Sequence, residues 1–396
     1  MRIGMCVILA SQGGYDLIKS RRVWGAAVAL LLLGSLVSAC GAAPVAQNWP
    51  GLTVAGGIVY AISGAPQVVY LLDAETGVQK ATFMPTGTFR GQTFYWSPVT
   101  IGGETAFVGF ASQSDKFYGL FAFDPTTGQE LWRVPADNLV LAAPAYDDGV
   151  VYFGTSSGHV YAVDTATHTF KPGWSFQAKE AIWGSPLVIG GKVYVPAMDH
   201  HLYCLDAQTG QVVWDYEAGG SLAAQPSSND GTLYQGAFDG RVYAVEAGSG
   251  QQASGFDFKA QNWIWSEVLV ADGRLYVSSL DGKLYALDAA TGQVLAGYPY
   301  STEATDYVRA APAQSGETVV IATGNGRVTA VNSASGQALW QWPTIGFTPT
   351  SGILTTPVIS EGRVFVLLSN GQVYALDAAT GAQLPGWPFP PTTTQQ

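Results

Sequence analysis

The 396 residues are 47% hydrophobic and only 12% charged, with 48 glycines, 21 prolines and a formal net charge of −11. High glycine with many aromatics and few charges suits short strands and tight turns and argues against a fold of long helices. A surface this acidic is repelled by phosphate backbones, which sets nucleic acid aside as a partner.

In chain order, the first element is a targeting segment. Lys19, Arg21 and Arg22 precede the apolar run from Val23 to Cys40, the pattern of a secretory signal over residues 1–39. The end of that run, Val37-Ser38-Ala39-Cys40, resembles the lipobox of bacterial lipoproteins. On that resemblance Cys40 is the expected lipidated residue and residues 40–51 are a short tether. An ordinary cleaved signal or an uncleaved anchor is the alternative. Beyond Cys40 no apolar run approaches the length of a spanning helix. The one cysteine beyond it is Cys204, so no internal disulfide is expected there.

From residue 52 to 391 the chain repeats itself. The phrase "LYALDAATGQVLAGY" at Leu284 returns as "VYALDAATGAQLPGW" at Val373, and its opening acid recurs eight times. The anchors are Asp73, Asp124, Asp164, Asp206, Glu246, Asp288, Asn332 and Asp377, spaced 40 to 51 residues apart. A glycine follows four residues after seven of them, and His168 takes that place in the third copy.

Each copy reads as four strands. In the fourth copy they are "SPLVIGG", "KVYVPA", "HLYCLDA" and "QVVWDYEA". Pairs such as Asp272-Gly273 and Asp281-Gly282 predict two-residue hairpins between the first three strands. The anchor itself predicts the third turn, with its carboxylate taking backbone N–H groups two residues on. These acids are therefore expected to build turns rather than do chemistry. An aromatic follows each anchor: Phe83, Trp132, Trp174, Trp214, Phe256, Tyr298, Trp340 and Trp387. It lies eight residues on in three copies and ten in five. The even difference keeps it on one strand face, and a longer turn is expected to absorb the extra pair. These aromatics, Trp132, Trp174, Trp214, Trp340 and Trp387 among them, are expected to wedge between blades. Two residues before the anchor stands a small residue in most copies; Cys204 takes that slot and reads as a buried filler.

Eight four-stranded units of about 40 residues predict an all-β, eight-bladed β-propeller of antiparallel blades. The phrases "LYALDAATGQVLAGY", "VYALDAATGAQLPGW" and "LYCLDAQTGQVVW" resemble the tryptophan-docking repeat of the pyrroloquinoline-quinone-type (PQQ-like) propellers, over essentially residues 52–391. Residues 392–396 read as a loose tail. That family holds periplasmic quinone-dependent dehydrogenases and a non-enzymatic lipoprotein branch that includes the BamB propellers of outer-membrane β-barrel assembly. The dehydrogenases carry a vicinal Cys-Cys pair, an Asp base and a calcium- or lanthanide-binding acid and amide; with Cys204 alone this chain lacks the pair. No cofactor, no catalytic residue and no metal site is expected. His159 and His201 share a register five residues before their anchors, but Arg241, Lys283 and Arg327 fill it in the next blades, so it reads as a polar rim.

One face remains of interest. The links entering the blades carry Trp96, Trp183, Trp263, Trp265 and Arg309, beside Asp137 and Asp306. They predict tryptophans at a channel mouth inside a basic arc, either plugging the channel or docking a partner. The resulting expectation is a membrane-anchored scaffold for envelope proteins, monomeric within a larger complex, with outer-membrane β-barrel assembly as its sharper version. Gly41, in place of the Asp linked to inner-membrane retention, favours the outer membrane where the host has one. A propeller binding a small ligand or glycan at the mouth is the alternative.

Overall fold

The computed structural model describes residues 51–63, 68–87, 94–112, 115–303, 306–343 and 351–390. The signal, Cys40, the tether up to residue 50 and the tail from residue 391 lie outside them. The described residues form eight antiparallel sheets, each built from a contiguous stretch of chain. Blade 1 runs Leu52–Ala55, Ile58–Ser63, Val68–Asp73 and Gln79–Phe83, and blade 4 runs Leu187–Ile189, Lys192–Pro196, His201–Asp206 and Val212–Glu217. Blade 8 supplies Val358–Ser360, Arg363–Leu367 and Val373–Asp377, and single bridges at Gln383 and Phe389 stand for its fourth strand. The inner strands of blades 2 and 3, 3 and 4, 5 and 6, 6 and 7, and 7 and 8 lie side by side, Thr53 Oγ1 of blade 1 donates to Val99 O on the link into blade 2, and the inner strands of blades 1 and 8 touch, so the ring closes without exchanging a strand. The eight-bladed propeller is the fold.

The two glycine turns of a blade differ. Between the inner and second strands, Asp272 and Gly273 sit at φ of 52° and 71°, the two positive angles a two-residue hairpin needs. Between the second and third strands the loop has three residues. Ser279 pairs with Lys283, the Gly282 N–H donates to Ser279 O at 3.1 Å, and only Gly282 is left-handed. That is a type I turn closed by a glycine bulge, not the two-residue turn the Asp-Gly pair suggests.

The third turn follows the sequence closely. Asp206 Oδ1 accepts from the Gln208 and Thr209 N–H groups and from Thr209 Oγ1, all at 3.1 Å. The same bonds recur at the other Asp anchors and at Asn332. Glu246, one methylene longer, instead accepts from Ser249 Oγ. This turn keeps one length in every copy, because residue four always donates to the anchor carbonyl. The extra pair before Trp174, Phe256, Tyr298 and Trp387 goes elsewhere. It forms a second turn at Gly173, Gly255, Gly297 and Gly386 that interrupts the outer strand. Phe83 keeps a continuous strand and simply lies two residues further along it.

Blades are joined by the docking aromatics. The Trp174, Trp214 and Trp340 indoles donate to the carbonyls of Ala207, Ala247 and Ala378, each just after the next blade's anchor. Each lies against the turn glycine there, Gly210, Gly250 or Gly381. In blade 3, where His168 replaces that glycine at a φ of 60°, the Trp132 ring stacks on the imidazole at 5.0 Å. Cys204 is fully buried opposite Trp214, and burial pushes its thiol up to about 11.

Candidate functional site: the channel mouth

From blade 3 to blade 8 the chain enters each blade through an extended link, and its burial alternates most clearly in blades 4 and 6. In blade 6, Ile264, Ser266 and Val268 are buried between blades, while Trp265 and Glu267 are not. In blade 7, Val308, Ala310 and Pro312 are buried, and Arg309 stands in the register of Trp265. Since the inner strands face one another around the ring, the intervening positions line the channel: Trp265 and Arg309 at its mouth, Glu267 one level deeper.

Turns on both sides pin the link of blade 6. The Ile264 N–H donates to Ala237 O of blade 5 at 3.2 Å, and the Leu280 N–H of blade 6 donates to Trp263 O at 3.0 Å. Asp281 accepts from the Gln261 N–H at 3.1 Å and from Tyr285 Oη at 2.7 Å, so the turn acid clamps the start of the link. Asp199 makes the same pair of bonds with the Lys179 N–H and Tyr203 Oη.

The pinning sets up a cluster of near-parallel rings. Phe238, at the tip of a blade 5 turn, lies 4.8 Å from Trp263 at 8° and 4.6 Å from Trp265 at 28°. The Arg309 guanidinium covers Trp265 with its Cζ 4.2 Å from the ring centroid. Burial holds that guanidinium down to about 10. Trp263 is 38% exposed, and Tyr307, in its register on blade 7, is 37% exposed. Three adjacent blades thus present aromatic surface and one arginine at the mouth.

Trp263, Trp265 and Arg309 are therefore brought together as the sequence suggests. Trp183 lies on the same face but packs against Leu139 and Leu141 of blade 3. Trp96 does not belong to the face. The link into blade 2 forms an extra strand, Phe94–Trp96, on the long second strand, and this turns Trp96 inward against Phe83 and Phe110 with no exposed surface. Phe238, Tyr307 and Glu267 escaped the sequence reading. The signal for the last two was their fixed distance before the inner strand; Phe238 sits in a turn where sister blades hold no aromatic.

The basic arc outside the mouth is not an open cationic surface. His159 Nδ1 meets Asp137 at 2.5 Å, His201 Nδ1 meets Asp215 at 2.9 Å, Arg241 meets Asp257 at 2.6 Å and Arg327 meets Glu303 at 2.5 Å. Lys283 bonds Gln261 at 3.2 Å. Burial would raise Asp137, but hydrogen bonds from Ser157, Thr155 and His159 outweigh it and hold the carboxyl low. The two imidazoles lie in different blades, each against its own carboxylate.

The described residues do not fit a quinone and its metal. Cys204 is sealed inside blade 4, away from the channel, and at the level of Glu267 the described links place no second acid.

Comparison with known proteins bears on the fold and the family. The family model described as outer membrane protein assembly factor BamB matches residues 65–169, 116–253 and 219–387. The outer membrane protein assembly factor BamB of Nitrosomonas eutropha is 29% identical over 98 residues, 25% of this chain and 23% of that one. A quinohemoprotein alcohol dehydrogenase, ADH IIB of Pseudomonas putida, is 30% identical over 128 residues, 28% of this chain and 18% of the enzyme. The matched stretches thus span about a quarter or less of either relative. Among solved structures, BamB from Moraxella catarrhalis superposes with a TM-score of 0.64 at 19% identity, over 86% of this chain and 96% of that one. The computationally designed Ika8 protein gives 0.67 at 18% identity, over 82% and 94%. At these identities the two structures speak to fold alone. The family matches, running together from residue 65 to 387, place this chain in the family described as outer membrane protein assembly factor BamB.

Proposed function

We propose that the chain is a non-enzymatic protein-interaction scaffold of the cell envelope, held to the membrane through Cys40 and serving outer-membrane β-barrel assembly. The family match supports the coarse role. The observation that carries the finer one is the Trp263–Phe238–Trp265–Arg309 cluster, which leaves Trp263 exposed at the mouth. Aromatic and arginine side chains anchored by a rigid scaffold are the residues that dominate protein–protein binding. Trp263→Ala with Arg309→Ala tests it: a folded double variant that recovers its envelope partner undiminished would refute the reading. The open face of Trp263 also favours a second reading, stacking of a sugar ring. Saturable quenching of Trp263 by envelope glycans would support that alternative.

A further inference from the structure

Glu267 stands two residues before the inner strand of blade 6, at the level just below the mouth. The other described links put Pro98, Ala143, Ser185, Gln225, Ala311 and Thr356 there, all neutral. The protein is dense around Glu267, yet the side chain itself stays open to water. Both hold for a side chain projecting into a narrow wet channel. The described residues give its carboxylate no hydrogen bond and no cation, and burial alone pushes it up to about 7. An enclosed carboxylate without a counter-charge is costly, and an arriving cation recovers that cost.

The surroundings narrow the choice of cation. The mouth lies two extended residues above Glu267, about 6.6 Å. Leu141, Trp183, Trp265 and Leu354 line it with apolar surface. A cation on a four-carbon stem spans that drop with its methylenes against the apolar wall. Three donors on an ammonium match one carboxylate and the neutral acceptors of Gln225 and Thr356 at the same level, whereas a planar guanidinium asks for a facing pair of acceptors. The strongly acidic molecule draws cations toward it. The other charged groups facing the channel are Arg309 at the mouth, which opposes an entering cation, and Asp147 at the far end of the inner strand of blade 3.

We propose that the channel binds a primary alkylammonium group at Glu267, and that the protein partner presents it as a lysine side chain. The second half rests on the scaffold reading above.

The test uses n-butylammonium as probe and n-butanol as its neutral counterpart, with calorimetry on the full chain. Above about pH 8, where the carboxyl is ionised, butylammonium should bind saturably and butanol should not. Glu267→Gln should weaken butylammonium at least tenfold. Binding to the unaltered chain should release a proton near pH 7 and lower the Glu267 titration seen by carboxyl NMR. Unchanged affinity in Glu267→Gln, or no saturation in the unaltered chain, overturns the site. A tenfold loss of partner recovery in Glu267→Gln supports the lysine. Butylammonium binding with unchanged partner recovery makes the site one for a free amine and overturns that half, leaving the scaffold reading standing. Absence of any recurrent partner for the unaltered chain refutes the scaffold reading and the lysine with it, while calorimetry still decides the ammonium site.

Discussion

Trp387, the docking aromatic of the last blade, lies across Gly77, the turn glycine of the first: a Cβ on Gly77 would fall 3.2 Å from its indole. The ring therefore closes with the same wedge that joins its other blades. It closes without the same hydrogen bonds. Between blades 3 and 4, Tyr152 Oη and the Trp174 indole both donate to Ala207 O, at 3.1 and 3.2 Å. At the seam, Phe365 stands where Tyr152 would, and the buried Trp387 Nε1 has no acceptor among the described residues.

Two substitutions probe this seam. Trp387→Ala should cost about 3–5 kcal/mol. Phe365→Tyr should add about 1 kcal/mol by offering a hydroxyl to the Ala74 carbonyl. Denaturant unfolding checks both, read as a shifted midpoint at unchanged slope. A destabilised Phe365→Tyr would show that the seam has no room for the bond.

The fold was legible because each blade repeats its own punctuation. Eight anchors, their glycines and their aromatics gave blade count, turn positions and the docking face. The misses came where one blade departs from the others in three dimensions while its sequence does not. Trp96 holds the register of Trp265 and Arg309, but the long strand Thr105–Ser112 captures its link and buries it. The basic arc looked open because its partners, such as Asp215 and Asp257, sit on outer strands and turns some 14 to 16 residues away in sequence. Glu267 was missed because its fixed distance before the inner strand marks a channel position only once the inner strands are placed.

Acid should unfold the protein partly through its turns. A hydrogen bond from Lys192 comes first in holding Asp206 down to about 2, and one from Thr126 does so for Asp124. Their folded pKa values lie below the ordinary 3.8, so their stabilisation is complete above pH 3.8 and is lost as pH falls toward 2. Asp206→Asn keeps the turn bonds, as Asn332 does, and should flatten the stability profile in that window. A profile identical to the unaltered chain would contradict this.

Glu267 should act in the opposite sense. Its folded pKa is raised from 4.5 to about 7, so the folded state holds the proton more tightly. Stability from this group is complete below pH 4.5 and declines as pH rises through about 7. Glu267→Gln should therefore match the unaltered chain at pH 4.5 and exceed it at pH 8. Equal stability at both would mean the carboxyl is not enclosed.

Cys204 should resist thiol reagents in the folded protein, since it is fully buried and its thiol is pushed up to about 11. Labelling should appear only with global unfolding, followed by denaturant titration with a maleimide. Rapid labelling under native conditions would show that blade 4 opens locally.

The central claim is that the channel mouth of blades 5 to 7 meets a protein partner, and photo-cross-linking in native membranes tests it most directly. A photoreactive phenylalanine analogue replaces Trp263 at the mouth in one variant and Val213 on the exposed outer strand of blade 4 in the other. The account predicts that position 263 captures an outer-membrane β-barrel or one of its assembly factors, and that position 213 does not. Capture of that partner from position 213 alone, or no recurrent partner from 263, would contradict it.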